Sequence, residues 1–331
     1  MAANRGWPGP GGTMPTMGNA LESEKPPLAI NTGASPATHD LLVGGVFGAL
    51  TVLMFALWII GTRSAARTTL GPFDVAFVRY LTASIVLVPS VFRNGLGLQR
   101  AGLARSTMMA CGAGLPFLLV SSTGMRFAPA SAAGAIMVGS MPVFVALLSA
   151  AIDGERFGWI RIAGFLGVTV GIGLYISRSL LNIQPGAWVG FALFLAAGAL
   201  WAGYTMAFRR SGIGPWNAAA IINFGSLLAL TPIYFLFVGT RLGQAAWRDI
   251  LLQAFVQAGI SAIAGLYFYG RSIVKLGASR AAVITSFTPV AVGLLGIPLL
   301  GELPDRTGWI GIALVSLGVA FASAGPSQPK R

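Results

Sequence analysis

Charge is scarce in this chain: 9% of its 331 residues are charged, where a soluble domain carries about 25%. That little charge cannot cover an aqueous surface of this size, which excludes a soluble fold. Acid is scarcer still, with 9 Asp and Glu against 22 Lys and Arg. There is one cysteine, Cys111, and one histidine, His39. A lone cysteine closes no intrachain disulfide, and within an apolar run it reads as a small packing residue. His39 precedes the first apolar run and reads as a solvated tail residue. No Asp or Glu falls near the centre of a run, so neither a metal cluster nor a nucleophile with its base is available inside a membrane. No catalytic residue, metal or cofactor is therefore expected, and the chain is not read as an enzyme. It also has no GxxxxGK[ST] phosphate loop, which argues against ATP-driven pumping.

What the chain has is apolar sequence: 55% hydrophobic residues and a mean hydropathy of +0.76. A membrane helix needs about 20 apolar residues, and ten such stretches follow one another. They cover roughly 42–61, 73–92, 106–124, 130–151, 160–177, 187–208, 218–238, 250–270, 279–300 and 308–324. A membrane barrel would show short alternating segments instead. The expected fold is all-α integral membrane, with about ten transmembrane helices. Residues 1–40 are rich in Pro, Gly and polar side chains and read as a disordered tail. No secretory signal is expected, because its apolar region would lie much nearer Met1.

The net charge of +13 raises nucleic acid as a partner. However, the basic residues come in ones, twos and threes at the edges of apolar runs, as in Arg93, Arg100 and Arg105. That is a loop pattern that sets membrane orientation, so nucleic acid is not an expected partner. With the N-terminus inside, Arg93, Arg100, Arg105, Arg156, Arg161, Arg209, Arg210, Arg271, Lys275 and Arg280 fall inside. Arg63, Arg67, Arg126, Arg178, Arg241, Arg248 and Arg306 fall outside. The bias places both termini in the cytoplasm.

The chain repeats itself. At a shift of 143 residues, Leu57-Trp58 recurs as Leu200-Trp201, Gly71-Pro72 as Gly214-Pro215, and Pro89 as Pro232. At a shift of 147, Pro142-Val143 recurs as Pro289-Val290, Gly154-Glu155 as Gly301-Glu302, Gly164 as Gly311, and Gly171 as Gly318. The expected domains are a first repeat at 41–178, a second at 186–325, and a short tail at 326–331. Each repeat holds five spans. Five is odd, so the second copy enters the membrane inverted, an arrangement characteristic of alternating-access transporters.

These residues resemble the drug/metabolite transporter superfamily, EamA family, over about residues 42–324. Trp58 and Ala199-Leu200-Trp201-Ala202-Gly203-Tyr204 are similar to the Trp-bearing first helix of each EamA repeat. Arg79-Tyr80-Leu81 resembles the Arg-aromatic-Leu of its second helix. Ser140-Met141-Pro142-Val143 with Gly154-Glu155-Arg156, and Phe287-Thr288-Pro289-Val290 with Leu300-Gly301-Glu302, resemble its Pro-Val…Gly-Glu signature. The resemblance implies ten helices in two inverted halves, a multi-pass protein of a bacterial inner membrane, and export of amino acids or related metabolites. One departure is Ile222, which stands where the first copy has Arg79.

Arg79 is the leading candidate for substrate contact. An Arg at bilayer depth costs about 2.5–3.5 kcal/mol on insertion scales, a cost that persists when it meets a wet cavity, a partner or a substrate. Asp74 lies five residues away and far around the helix, a poor partner. Ala76, Thr82 and Ala83 share its face, while Phe77, Leu81, Ile85 and Val88 take the other, so Arg79 points into protein. Snorkelling to the outer interface, or capping of backbone carbonyls, is the alternative. Gln253, Gln257 and Ser261, spaced by four, set polar groups on one face of span 8; Asn223 and Ser226 do so on span 7. Interhelical hydrogen bonding is their structural alternative. Trp58, Trp201, Tyr204 and Tyr267 are candidates to line a cavity, or else belong to interfacial belts or ordinary packing. Pro142 and Pro289 are hinge candidates, each expected to bend its helix. Gly164, Gly167 and Gly171 on span 5, and Gly311 and Gly318 on span 10, form small-residue faces that suit packing within the chain; a homodimer is possible but not required. Glu155 and Glu302 read as caps on the helix that follows each. The reading is a secondary transporter of a small molecule embedded in the lipid bilayer. A channel or structural membrane protein is the alternative, and an intramembrane enzyme the least supported.

Overall fold

In the computed structural model, the described residues are 38–181, 186–276, 278–324 and 327–328. They form ten helices long and apolar enough to cross a membrane: His39–Ala65, Pro72–Arg93, Leu103–Phe127, Ala130–Asp153, Trp159–Ser177, Ala187–Arg209, Trp216–Val238, Trp247–Ser272, Arg280–Leu300 and Arg306–Ser323, here spans 1 to 10. Lipid offers backbone groups no hydrogen-bond partner, so apolar runs of this length resolve as helices. With five spans per repeat, the second repeat crosses in the opposite sense to the first. The face where span 1 starts and span 10 ends is the terminal face; the other is the distal face.

The repeated motifs become repeated local structure. Pro72 opens span 2 behind Gly71, whose amide donates to the Asp74 carboxylate at 2.7 Å. Gly214 precedes span 7 in the same extended conformation. Gly154 and Gly301 end the helices of spans 4 and 9 with φ of 64° and 66°, the left-handed stop that favours glycine.

Several boundaries differ from the expectation. Span 1 begins at His39, so His39 and Asp40 belong to its first turn rather than to a tail; the rest of the expected tail, 1–37, lies outside the described residues. Asp40 accepts from Lys275 Nζ at 2.6 Å, which anchors that turn to span 8. Span 3 is two helices, Leu103–Ala113 and Leu115–Phe127, with Pro116 near the start of the second. The Leu115 amide at the break donates to Ser226 Oγ of span 7 at 3.0 Å. The two hinge candidates are built differently. Span 9 breaks between Thr285 and Thr288, and Pro289 sits in the first turn of the new helix. Pro142 stands inside the continuous helix Gly139–Asp153, directly after the π-helical segment Ala133–Val138.

The repeats interlock. Span 1 packs on spans 8 and 9 of the second repeat, and span 6 packs on spans 3 and 4 of the first. Spans 5 and 10 form the most extensive interhelical contact. A Cβ at Gly164 would stand 2.4 Å from the Ala322 nitrogen and 2.6 Å from the Gly318 carbonyl oxygen; one at Gly171 would stand 2.9 Å from the Gly311 carbonyl. The two small-residue faces therefore meet within the chain, backbone on backbone. On the terminal face, Ser327–Gln328 pair antiparallel with Arg156–Phe157 of the loop after span 4.

Candidate functional site

Spans 1, 2 and 8 bring four of the sequence candidates into one buried polar group. Gln257, fully buried, is its hub. Its Oε1 accepts from the Trp58 indole at 3.0 Å and from Arg79 Nη1 at 3.1 Å. Its Nε2 donates to Thr62 Oγ1 at 2.9 Å and to Gln253 Oε1 at 3.2 Å. Gln253 Nε2 in turn donates to the Gly61 carbonyl at 2.8 Å. Span 8 is π-helical over Phe255–Gly265, which covers both Gln257 and Ser261. Such wide turns recur at functional sites, and this one carries the polar face toward spans 1 and 2.

Arg79 uses one guanidinium nitrogen for all its hydrogen bonds. Nη1 donates to Gln257 Oε1, to Ser261 Oγ at 3.0 Å and to the Gln257 carbonyl at 3.4 Å. Among the described residues its Nε is buried without a partner, and so is the neighbouring Tyr80 hydroxyl. Among the described residues no carboxylate pairs with Arg79. Asp74 is committed elsewhere: it accepts from the Gly71 amide, from the Tyr234 hydroxyl and from the Arg241 amide at 3.1 Å. A guanidinium held on one side by neutral acceptors, with donors unused, suits an anionic partner from outside the chain.

An aromatic row leads away from this group. Trp58 stacks on Phe117 at 5.9 Å between ring centroids, Phe117 meets Trp201 at 5.3 Å, Trp201 meets Tyr204 at 5.1 Å, and Tyr204 stacks on Phe208 at 5.9 Å. Trp58 and Phe117 are buried, while Trp201, Tyr204 and Phe208 keep accessible surface and Arg209 beyond them is exposed. The row thus opens along span 6 toward the terminal face.

Two candidates stand apart. Tyr267 is 47% exposed, and its ring meets Phe47 and Phe268 rather than the polar group. Asn223 is buried but donates to the Ala219 carbonyl of its own helix at 2.8 Å. Sequence reasoning passed over Thr62 and Phe117. Thr62 lies four residues after Trp58 on the same face, a spacing that could have been read; Phe117 carried no signal, because it joins the rings only through the break in span 3.

The two signature glutamates also differ from the expectation. Glu302 does not cap span 10, a role Asp305 fills by accepting from the Gly308 amide at 2.7 Å. Instead Glu302 accepts from Arg63 Nε at 2.7 Å, from Arg67 Nη2 at 2.6 Å and, through Oε2, from the Ala130 amide that opens span 4 at 2.8 Å. Arg67 also donates to the Leu300 carbonyl at 2.6 Å. Glu155, the matching residue, takes Arg161 Nη1 at 3.0 Å.

Comparison with known proteins follows the same outline. The model of the EamA-like transporter family matches residues 42–177 and 188–324. The "Uncharacterized transporter YwfM" of Bacillus subtilis (strain 168) is 28% identical over 232 residues, covering 67% of this chain and 72% of that protein. The "Uncharacterized transporter YoaV" of the same organism is 22% identical over 244 residues, covering 71% and 80% respectively. One crystal structure superposes with a TM-score of 0.58 at 20% identity, over 86% of this chain and 96% of that one, which shows a shared fold.

Proposed function

Because the chain belongs to the EamA-like transporter family and is a membrane transporter, we propose that it exports a small metabolite bearing a carboxylate, such as an amino acid or a related compound. The observation that carries this reading is Arg79, a cation within a span whose only described partners are neutral. A substrate carboxylate meets its free donors, the Trp58–Phe117–Trp201 row faces the apolar part of the ligand, and Gln257 fixes the guanidinium between them. Transport proceeds by alternating access between the inverted repeats. Both termini are cytoplasmic in a bacterial inner membrane, a reading supported by the basic residues of the loops.

The test is initial-rate flux of a panel of radiolabelled amino acids into proteoliposomes at matched protein density. Arg79→Ala lowers flux of the transported compound by about ten- to a hundredfold, as expected for loss of a charge-assisted contact worth about 1.5–3 kcal/mol. Arg79→Lys restores it in part, since the charge remains while the planar fork is lost. Wild-type flux in Arg79→Ala removes Arg79 from the site. Full rescue by lysine makes it a structural cation, because a lysine snorkels equally well.

A further inference from the structure

The packing of the two repeats is unequal at the two faces. On the distal side, the first half of span 4 packs against span 1 and the second half of span 9. Ala133, Ala135, Ile136 and Met137 are all fully buried there. Their counterparts at a shift of 147 in span 9 are Arg280, Ala282, Val283 and Ile284. Arg280 is exposed and the other three keep accessible surface. Among the described residues, no comparable packing joins the first half of span 9 to span 6 or to the second half of span 4. At the distal face the fourth spans of the two repeats pack on each other; at the terminal face the described residues lack that one contact, and the repeats are joined there instead by Asp40–Lys275, Asp153–Arg210 and the pairing of Arg156–Phe157 with Ser327–Gln328.

The glutamates follow the same asymmetry. Glu302 stands where the distal closure is made, joining Arg63 and Arg67 of span 1 to the Ala130 amide of span 4 while only 12% exposed. Its counterpart is Glu155, and the counterpart of Arg67 is Arg210; the counterpart of Ala130, residue 277, lies outside the described residues. In place of the matching pair, Arg210 binds Asp153, the counterpart of Leu300. Arg210 already touches the segment that Arg67 touches on the other side, two residues short of Glu155. Glu155 is held back by Arg161, which also lies over the Phe157 ring at 4.7 Å.

We propose that Glu302 and Glu155 are the two alternating latches of the transport cycle. Glu302 holds the distal face shut in this conformation. Glu155 is parked on Arg161, and it takes up Arg210 when the terminal face closes and Glu302 releases span 4. The inference rests on the alternating-access reading above but not on the substrate. A short carboxylate that bridges one repeat's first span to the other's fourth is a two-position element, and both faces bias it.

The experiment measures maleimide labelling of single cysteines in the Cys111→Ser protein, in nanodiscs where both faces meet the reagent. Ser131→Cys reports the distal seal and Thr285→Cys the terminal opening. Glu302→Gln speeds labelling at 131 by about tenfold, a shift of about 1.4 kcal/mol, and slows it at 285. Arg161→Ala, which frees Glu155, moves both rates in the same directions, and adding Glu155→Gln returns them to the starting values. Acceleration at both sites together marks a loosened fold and overturns the proposal, as do unchanged rates in either single variant. If the reciprocity fails while flux still depends on Arg79, the latch is wrong and the transporter reading stands.

Discussion

Replacing Gln257 by glutamate tests the Arg79 assignment from inside the protein. Gln257 Oε1 already sits 3.1 Å from Arg79 Nη1 and 3.0 Å from the Trp58 indole, so the substitution places a fixed carboxylate where a mobile one is proposed to bind. The Trp58 bond becomes charge-assisted and the Arg79 bond, already charge-assisted, becomes an ion pair, each gaining about 1 kcal/mol. The Nε2 bonds to Thr62 and Gln253 are lost, at about 0.6 kcal/mol apiece within a membrane. The two effects nearly cancel, so Gln257→Glu melts within a few degrees of the parent protein. Gln257→Leu instead forfeits all four side-chain contacts, about 2.4 kcal/mol on the same scale, and melts well below it. Flux separates the readings: with Arg79 neutralised internally, initial-rate uptake of a carboxylate substrate into proteoliposomes falls by at least about tenfold, the equivalent of about 1.4 kcal/mol. Parental flux in a well-folded Gln257→Glu protein refutes the argument, since a substrate that ignores an internal counter-charge is not bound through Arg79.

Gly164→Val forces a side chain into the Gly318 and Ala322 backbone, which cannot give way, so the variant loses its monodisperse peak in detergent size-exclusion. Overpacking of this kind costs about 1–3 kcal/mol or more. Gly173→Val, where nothing stands within 4 Å of a new Cβ, elutes as the parent does. For topology, impermeant maleimide applied to intact cells labels Thr69→Cys on the distal face and spares Gln99→Cys on the terminal face, both in the Cys111→Ser background. The opposite pattern reverses the orientation.

Much of the fold was legible because a bilayer leaves few choices. Apolar runs between the basic loops had to become helices, and the recurrence of Trp58 at Trp201 and of Gly154-Glu155 at Gly301-Glu302 gave the two repeats. The site was legible in part. Arg79 stood out by its depth, and Gln253 and Gln257 by their spacing, because an unpaired polar group in lipid is costly enough to need a reason. Helix ends were less readable: charge does not mark a helix start when the charged residue has a distant partner, as Asp40 has in Lys275.

Sequence by itself determined the solvent, the number of spans and the inversion, since composition and periodicity act locally along the chain. Tertiary structure alone decided which polar faces meet. Only folding brings Gln257 to Trp58, 199 residues away, while Tyr267, ten residues further along, lies outside the group. It also decided that two identical Gly-Glu motifs take different partners. Glu302 and Glu155 share the glycine before them in sequence, yet one joins the repeats and the other pairs with Arg161 at the start of the next span of its own repeat. A carboxylate binds whichever cation and amide the packing brings to it, and the packing differs at the two faces of the membrane.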